Sequence, residues 1–424
     1  MARAYVVTEG RIEAPPVVVV DFGVDRGRGL VASWGIAKGE VIFTEKALVG
    51  AQVPDGCPSS STSRCTGYKV RACQQCFRSL EPGSCLVPNG HDSTPTTTCS
   101  SIPLPHLWPV MEYSSDKTVS LEDHLVEDTI SRQVTCTNCH IWFCTRWCAK
   151  SYQETTGNCC QSTQAVASAI KALACGDGDD DDNQDGRHID PVYALTTRMF
   201  AMQQQQSTNG QSLFDDLCGD ANDITALQLG DYCPHTYTFS LAKGYDPVCQ
   251  ALALQERSSL EEFHRLAAVA QRNGILVTTK SPFREYYGAV LRNTGGRGST
   301  RQQQVVSEIA QILGAPDGKL TREMDDIVEE KCAVKMAGLF TLTAIMNHSC
   351  DPNAEIRGSE YNDCHIDIAA KKRIEKGDEI TISYLDLGPG DAATSNSTIA
   401  RNRRRRHLGS KYLFVCQCAR CSSK

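Results

Sequence analysis

Apolar and polar residues alternate near both ends of the chain, and apolar residues recur at helical spacing between them. The unbroken run "VVVVDF", Val17 to Phe22, predicts a buried strand. "DRGRGLVAS" after it reads as a glycine-punctuated turn, and "GEVIFTEKALV" as a return to strands. From Cys57 to Cys160 the periodicity fades into Cys, Ser, Thr and Pro, which suits a small metal-stapled module carrying a long loop at Pro82 to Pro109. Between Pro191 and Glu330 the spacing turns helical. The clearest helix opens on a capping box of Ser259 and Glu262, runs through Leu260, Phe263, Ala267 and Ala270 as one buried stripe, and stops at Gly274. The late stretch "HIDIAAKKRIEKGDEITISYLD" alternates around Lys376-Gly377-Asp378 and predicts a β-hairpin. Strands toward the ends with helices in the middle make the class α+β.

With 424 residues, 41% of them hydrophobic, the chain has the material for two or three compact units. Its net charge of -7 supplies no global field for nucleic acid. "PPVVVVDF" is too short for a bilayer span and lacks the basic start and cleavage site of a secretory signal, so an intracellular protein is expected, cytoplasmic, nuclear or both, with no membrane partner. Gly176 to Gly186, "GDGDDDDNQDG", lacks the closing glutamate of a calcium loop and reads as a solvated disordered loop. The basic run Arg401 to Tyr412 admits a nucleic-acid patch, a nuclear address or a solvated helix face, and a solvated face that can also serve as an address is favoured.

In a reducing compartment 22 cysteines point to metals or catalysis rather than disulfides. Cys73 and Cys76 form one C-x-x-C pair and Cys136 and Cys139 another, followed by Cys144, Cys148, Cys159 and Cys160. Such pairs bring two thiolates from one turn to a tetrahedral zinc. By analogy with interleaved fingers, Cys73 and Cys76 join Cys144 and Cys148, which leaves Cys136 and Cys139 to Cys159 and Cys160. The terminal "CQCARC" supplies Cys416, Cys418 and Cys421, one thiolate short of a full site. Cys350 in "NHSCDPNAEI" is the natural fourth ligand; a nucleophilic thiol beside His348 and a buried free thiol are the alternatives.

"GRGL", the interrupting cysteine finger, "NHSCDPNAEI", "ITISYLD" and "YLFVCQCARC", in this order, resemble the SET and MYND domain lysine methyltransferases. The resemblance implies a β-rich SET domain with a knot-like thread, interrupted by a MYND-like zinc finger and a helical insert, and followed by a post-SET zinc site. Its parts would be residues 16–72 and 336–388 for the SET domain, 73–160 for the finger, 161–335 for the insert and 389–424 for a basic helix with the terminal cysteines. The family's finger ends in histidine and cysteine, where this chain has "GNCCQ".

The cysteine sets divide into two finger sites and one terminal site, about three zinc ions in all, and the resemblance further implies S-adenosylmethionine as donor. Arg26, Gly27, Arg28, Gly29, Asn347 and His348 would bind the donor, and Tyr412 and Phe414 would close over it or line the lysine channel. Bare glycines would let the backbone approach the ligand, with an arginine on its carboxylate. Tyr384 falls at the catalytic tyrosine, its hydroxyl aligning the amine of a lysine in a histone tail or a ribosomal protein. Peptide partners of the finger are admitted by the same resemblance. A catalytically inactive adaptor is the rival function, against which Tyr384, Asn347 and His348 stand together.

Overall fold

A computed structural model describes residues 4–8, 11–24, 26–53, 72–80, 124–127, 133–174, 191–206, 212–219, 241–253, 259–279, 299–300, 303–304, 307, 333–359, 363–385 and 398–422. The expected loops at Pro82 to Pro109 and Gly176 to Gly186 lie outside these residues. Two units are distinguished. The first comprises Met1–Ala51, Thr155–Val277 and Ala337–Lys424, and the second Gln52–Glu154 and Thr278–Met336.

Two sheets organise the first unit. Five strands stand in the order Ala354–Gly358, His365–Ala370, Val41–Lys46, Ala4–Thr8, Arg11–Glu13, all antiparallel. Val41–Lys46 is central, and its inner four residues, including Glu45, are buried. The second sheet runs Asn347–His348, Glu379–Ile382, Arg28–Ala32, Val17–Asp21, with Asn347–His348 parallel to Glu379–Ile382.

This arrangement corrects three expectations. The valine run does form a strand, but at a sheet edge, with Val18 52% and Val19 46% exposed rather than buried. The turn before the next strand is narrower than "DRGRGLVAS": Gly23 and Gly27 take positive φ of 88° and 61°, and the chain is already extended at Arg28. The late hairpin is not one. Its turn exists, with the Asp378 amide bonded to the Glu375 carbonyl at 3.1 Å and Gly377 at φ 90°. Yet His365–Ala370 and Glu379–Ile382 join different sheets, and the first pairs instead with Ala354–Gly358.

Four helices follow, Cys159–Ala174, Pro191–Gln206, Leu241–Ala251 and Leu260–Asn273, and the second is buried on every side from Ala194 to Gln203. Ser259 caps the last of them, its Oγ accepting from the Glu262 amide at 2.9 Å, and the Gly274 amide closes it onto the Ala270 carbonyl. The Glu262 carboxylate is engaged by Arg265 at 2.8 and 2.9 Å. Leu260 is 37% exposed, so the buried stripe starts at Phe263, which meets Phe200 edge to face at 5.2 Å. The stretch expected to be helical also holds the β-branched strand Ile275–Thr279. Helix Thr398–Tyr412 carries the basic run, but it is no plain solvated face: Arg404 and Leu408, one turn apart, are 1% and 0% exposed.

In the second unit, strands Leu125–Glu127, Val134–Cys136 and Trp142–Phe143 form a small antiparallel sheet. Its core is Phe77, Ile141, Phe143 and Tyr152, each at most 1% exposed. Among the described residues no helix is long and apolar enough to cross a membrane.

Candidate active site and cysteine clusters

The terminal cysteines meet the "NHSC" thiol. The sulfurs of Cys350, Cys416, Cys418 and Cys421 all lie within 4.8 Å of one another, with Cys350 at 3.9 Å from Cys416 and 3.5 Å from Cys421. Four sulfurs at about 2.3 Å from a tetrahedral ion stand about 3.8 Å apart, so the spacing fits a zinc. A hydrogen bond from Cys350 above all, with burial opposing and His348 assisting, holds the Cys416 thiol down at about 3, the ionised form a metal requires. Two arginines anchor the backbone around this cluster: Arg420 donates to the Cys350 carbonyl and Arg405 to that of Cys421, each at 3.1 Å. Arg405 belongs to the basic run, so part of that run serves the cysteine site.

Against the cluster pack Tyr384, Leu385, Tyr412 and Phe414. The Tyr384 ring lies 4.8 Å from that of Tyr412, 5.3 Å from that of His348, and edge to face with Phe414 at 6.2 Å. Its hydroxyl donates to the Met346 carbonyl at 2.5 Å. Burial, then the neighbouring Tyr412, pushes the Tyr384 pKa well above that of a free phenol. This tyrosine keeps its proton and is no general base near neutrality. Leu413, between the other two aromatics, sits at φ 59°, a left-handed step that lets Tyr412 and Phe414 both turn toward Tyr384.

The "NHS" and "ISY" segments meet because Asn347 pairs with Thr381 and His348 with Ile382, and the Ser349 amide donates to the Ile382 carbonyl at 2.9 Å. Asn353 reinforces the junction, giving its Nδ2 to the Glu379 carbonyl and its Oδ1 to the Thr381 amide, both at 2.8 Å. Imidazole His348 accepts the Tyr384 amide at Nδ1, 3.0 Å, while its Nε2 is 3.3 Å from the Cys350 sulfur.

The glycine loop reaches the same place. Gly29 leaves no room for a side chain unless its neighbours move: a Cβ there would meet Asn347 Nδ2 and Phe22 Cε2 at 2.7 Å. Asn347 Nδ2 in turn donates to Glu379 Oε1 at 2.9 Å and to the Arg28 carbonyl at 3.2 Å. The close approach expected between Gly29 and a ligand is therefore made to the protein itself. Arg26 is ion-paired with Glu379 and stacks over Phe22, while the Arg28 guanidinium donates to the Asp216 carbonyl. Glu379 and the Met346 carbonyl carry no sequence signal of their own, and Asn353, though inside "NHSCDPNAEI", has no role expected of it from sequence. Glu379 reads as one more polar position in an alternating strand, and its role follows from the pairing of distant segments.

In the second unit the sulfurs of Cys73, Cys76, Cys144 and Cys148 form a quartet with the same 4.8 Å limit, including 3.7 Å from Cys76 to Cys144 and 3.4 Å from Cys144 to Cys148. The grouping is the one expected by analogy with interleaved fingers. Burial raises the Cys73 thiol, but hydrogen bonds from Cys144, Cys148 and Cys76 outweigh it and hold the group well below its ordinary value. Both C-x-x-C pairs turn alike. Phe77 and His140 follow them at φ 60° and 58°, and their amides return to the carbonyls of Cys73 and Cys136 at 2.8 and 3.0 Å. The Cys139 amide also donates to the Cys136 sulfur at 3.4 Å. Cys136 and Cys139 belong to the second unit. Cys159 and Cys160 open an Asn158-capped helix of the first.

A family model described as "SET domain" matches residues 27–385. The protein-lysine N-trimethyltransferase SMYD5 of Danio rerio is 25% identical over 426 residues, covering 94% of this chain and 85% of the relative. Its Homo sapiens counterpart is equally similar, with 93% and 84% covered. The histone-lysine N-methyltransferase ASHR1 of Arabidopsis thaliana is 43% identical over 86 residues, 20% of this chain and 15% of that protein.

Proposed function

From its membership of the SET domain family, we propose that this chain is a protein-lysine N-methyltransferase that uses S-adenosylmethionine and is held together by structural zinc. One observation carries the reading: a Tyr384 hydroxyl bonded to the Met346 carbonyl, walled by His348, Tyr412 and Phe414, beside the junction of Asn347, Arg26 and Glu379.

Bound at that junction, the donor supplies an activated methyl group on a positively charged sulfur. The residues present suit its amino-acid end. Asn347 spends its amide hydrogens within the protein and keeps Oδ1 as an acceptor for an ammonium, and Arg26 offers a cation for a carboxylate once it leaves Glu379.

A lysine amine with a pKa of ~10.4 is neutral in about one molecule in a thousand at pH 7.4. The aromatic wall disfavours the ammonium by stripping it of water, which lowers that barrier. Tyr384 then contributes geometry rather than proton abstraction. Its proton stays on the bond to the Met346 carbonyl, and its oxygen accepts from the lysine nitrogen, fixing the direction of the lone pair. No enzyme nucleophile is required, and Cys350, among three other sulfurs, would serve as a metal ligand. An inactive adaptor has no need of this tyrosine geometry.

The substrate proposed is a lysine in a histone tail or a ribosomal protein. Full-length protein, labelled donor and separate histone and ribosomal fractions test this, with Tyr384→Phe as control. Label is expected in one fraction, and the variant should lose roughly a hundredfold in kcat while its donor affinity holds. Label that persists in the variant, or that enters neither fraction, overturns the reading.

A further inference from the structure

The expected role of His348 was donor binding, but its ring is occupied elsewhere. Nδ1 accepts the Tyr384 amide at 3.0 Å. A neutral imidazole that accepts at one nitrogen carries its hydrogen on the other, so Nε2 is the donor, and it lies 3.3 Å from the Cys350 sulfur with Cys416 also in reach. The same ring stands 5.3 Å from the Tyr384 ring and 6.1 Å from that of Phe414. Both nitrogens are thereby committed within the protein.

We infer that His348 is a positioning residue: a strut whose Nε2–H bonds a thiolate of the terminal cysteine quartet and whose Nδ1 holds the main chain of Tyr384, so that the metal-bound sulfurs set the placement of the tyrosine. This deepens the methyltransferase reading and rests on it. The geometry makes the direction of influence explicit. A thiolate is a good acceptor, and fixing it on a metal fixes the ring that points at it. The ring then fixes the amide two residues beyond Ile382, from which the Tyr384 side chain projects beneath the Met346 carbonyl.

Two substitutions divide the strut. His348→Asn keeps an acceptor where Nδ1 stands and loses the bond to sulfur. His348→Gln keeps a donor near Nε2 and loses the bond to the Tyr384 amide. Each is expected to lower kcat roughly tenfold or more, with donor affinity changed less than about twofold, because the damage lies in alignment rather than in binding. A donor affinity that collapses while kcat is kept, or wild-type kcat in both variants, overturns the strut.

A second measurement does not depend on activity, and its deciding spectrum is that of the wild type. Histidine-labelled wild-type protein exchanged with cadmium-113 is expected to show one imidazole in the Nε2–H tautomer, its Nε2 proton coupled to cadmium through the sulfur. That signal should be missing in His348→Asn. An Nδ1–H tautomer, or no coupling from any imidazole, overturns the proposal. Failure of the wild type to methylate any fraction overturns the enzymatic reading alone, and the cadmium spectrum still decides the strut.

Discussion

Gly29 is a glycine because Asn347 and Phe22 occupy the space a methyl group would take, both at 2.7 Å from the missing Cβ. Gly27, in contrast, has nothing within 4 Å of that position and owes its identity to φ 61°. The two substitutions should therefore differ. Gly29→Ala is expected to push Asn347 off Glu379 and weaken donor binding roughly tenfold, about 1.4 kcal/mol, with zinc content intact. Gly27→Ala should cost stability by about 1 kcal/mol and spare Asn347. Calorimetric titration with the donor beside a thermal melt separates them, and equal donor affinity in wild type and Gly29→Ala would remove Asn347 from the binding site. The sequence marked both glycines and Asn347 as important. It could not say that one packs on the other, because that contact joins segments far apart in the chain.

Among elements, the short helical turn Thr343–Ile345 shows how a buried charge shapes the site. Glu45, 0% exposed, accepts from the Leu342 amide at 2.7 Å, the Thr343 amide at 2.9 Å and the hydroxyls of Thr341 and Thr343. Burial, opposed by these bonds, keeps its pKa above that of an ordinary glutamate. The turn it clamps leads directly into Met346, Asn347 and His348. Glu45→Gln presents an NH₂ to backbone amides and leaves at least one donor unpaired in the core, at a cost of about 1–3 kcal/mol. We expect a lower melting temperature and a lower kcat together, and an unchanged melting curve would show that the clamp is dispensable. The central strand around Glu45 was legible from its alternation, and so was the helix capped by Ser259. The pairing of Glu379–Ile382 with Asn347–His348 was not. Local pattern specifies that a segment is extended, while the choice of neighbour depends on edges that form only when remote parts of the chain arrive.

For the whole molecule, two sulfur quartets are each complete within one unit, Cys73, Cys76, Cys144 and Cys148 in the second and Cys350, Cys416, Cys418 and Cys421 in the first. Elemental analysis should give at least two zinc ions per chain, and fewer would remove one quartet from the assignment. Cys350→Ser should lose one zinc, keep that of the second unit, and lose most activity, since Tyr384, Tyr412 and Phe414 pack on the cluster it breaks. Spacing made each close cysteine pair legible as two ligands of one ion, whereas the joining of Cys73 and Cys76 to Cys144 and Cys148 followed from analogy with interleaved fingers, and that of Cys350 to the terminal three from their want of a fourth ligand.

The lateness of Tyr412, Phe414 and the last three cysteines has a bearing on how the protein becomes active. Tyr384 and the glycine loop leave the ribosome before two walls of their own pocket and three of its four sulfurs exist. A chain severed after Gly409 by a protease keeps Tyr384 but loses the Tyr412 and Phe414 rings packed on it and three of the four clustered sulfurs. Competence for methyl transfer is thus expected only once residues 412–421 have been made and have taken up metal, and a cut ahead of Tyr412 should remove it.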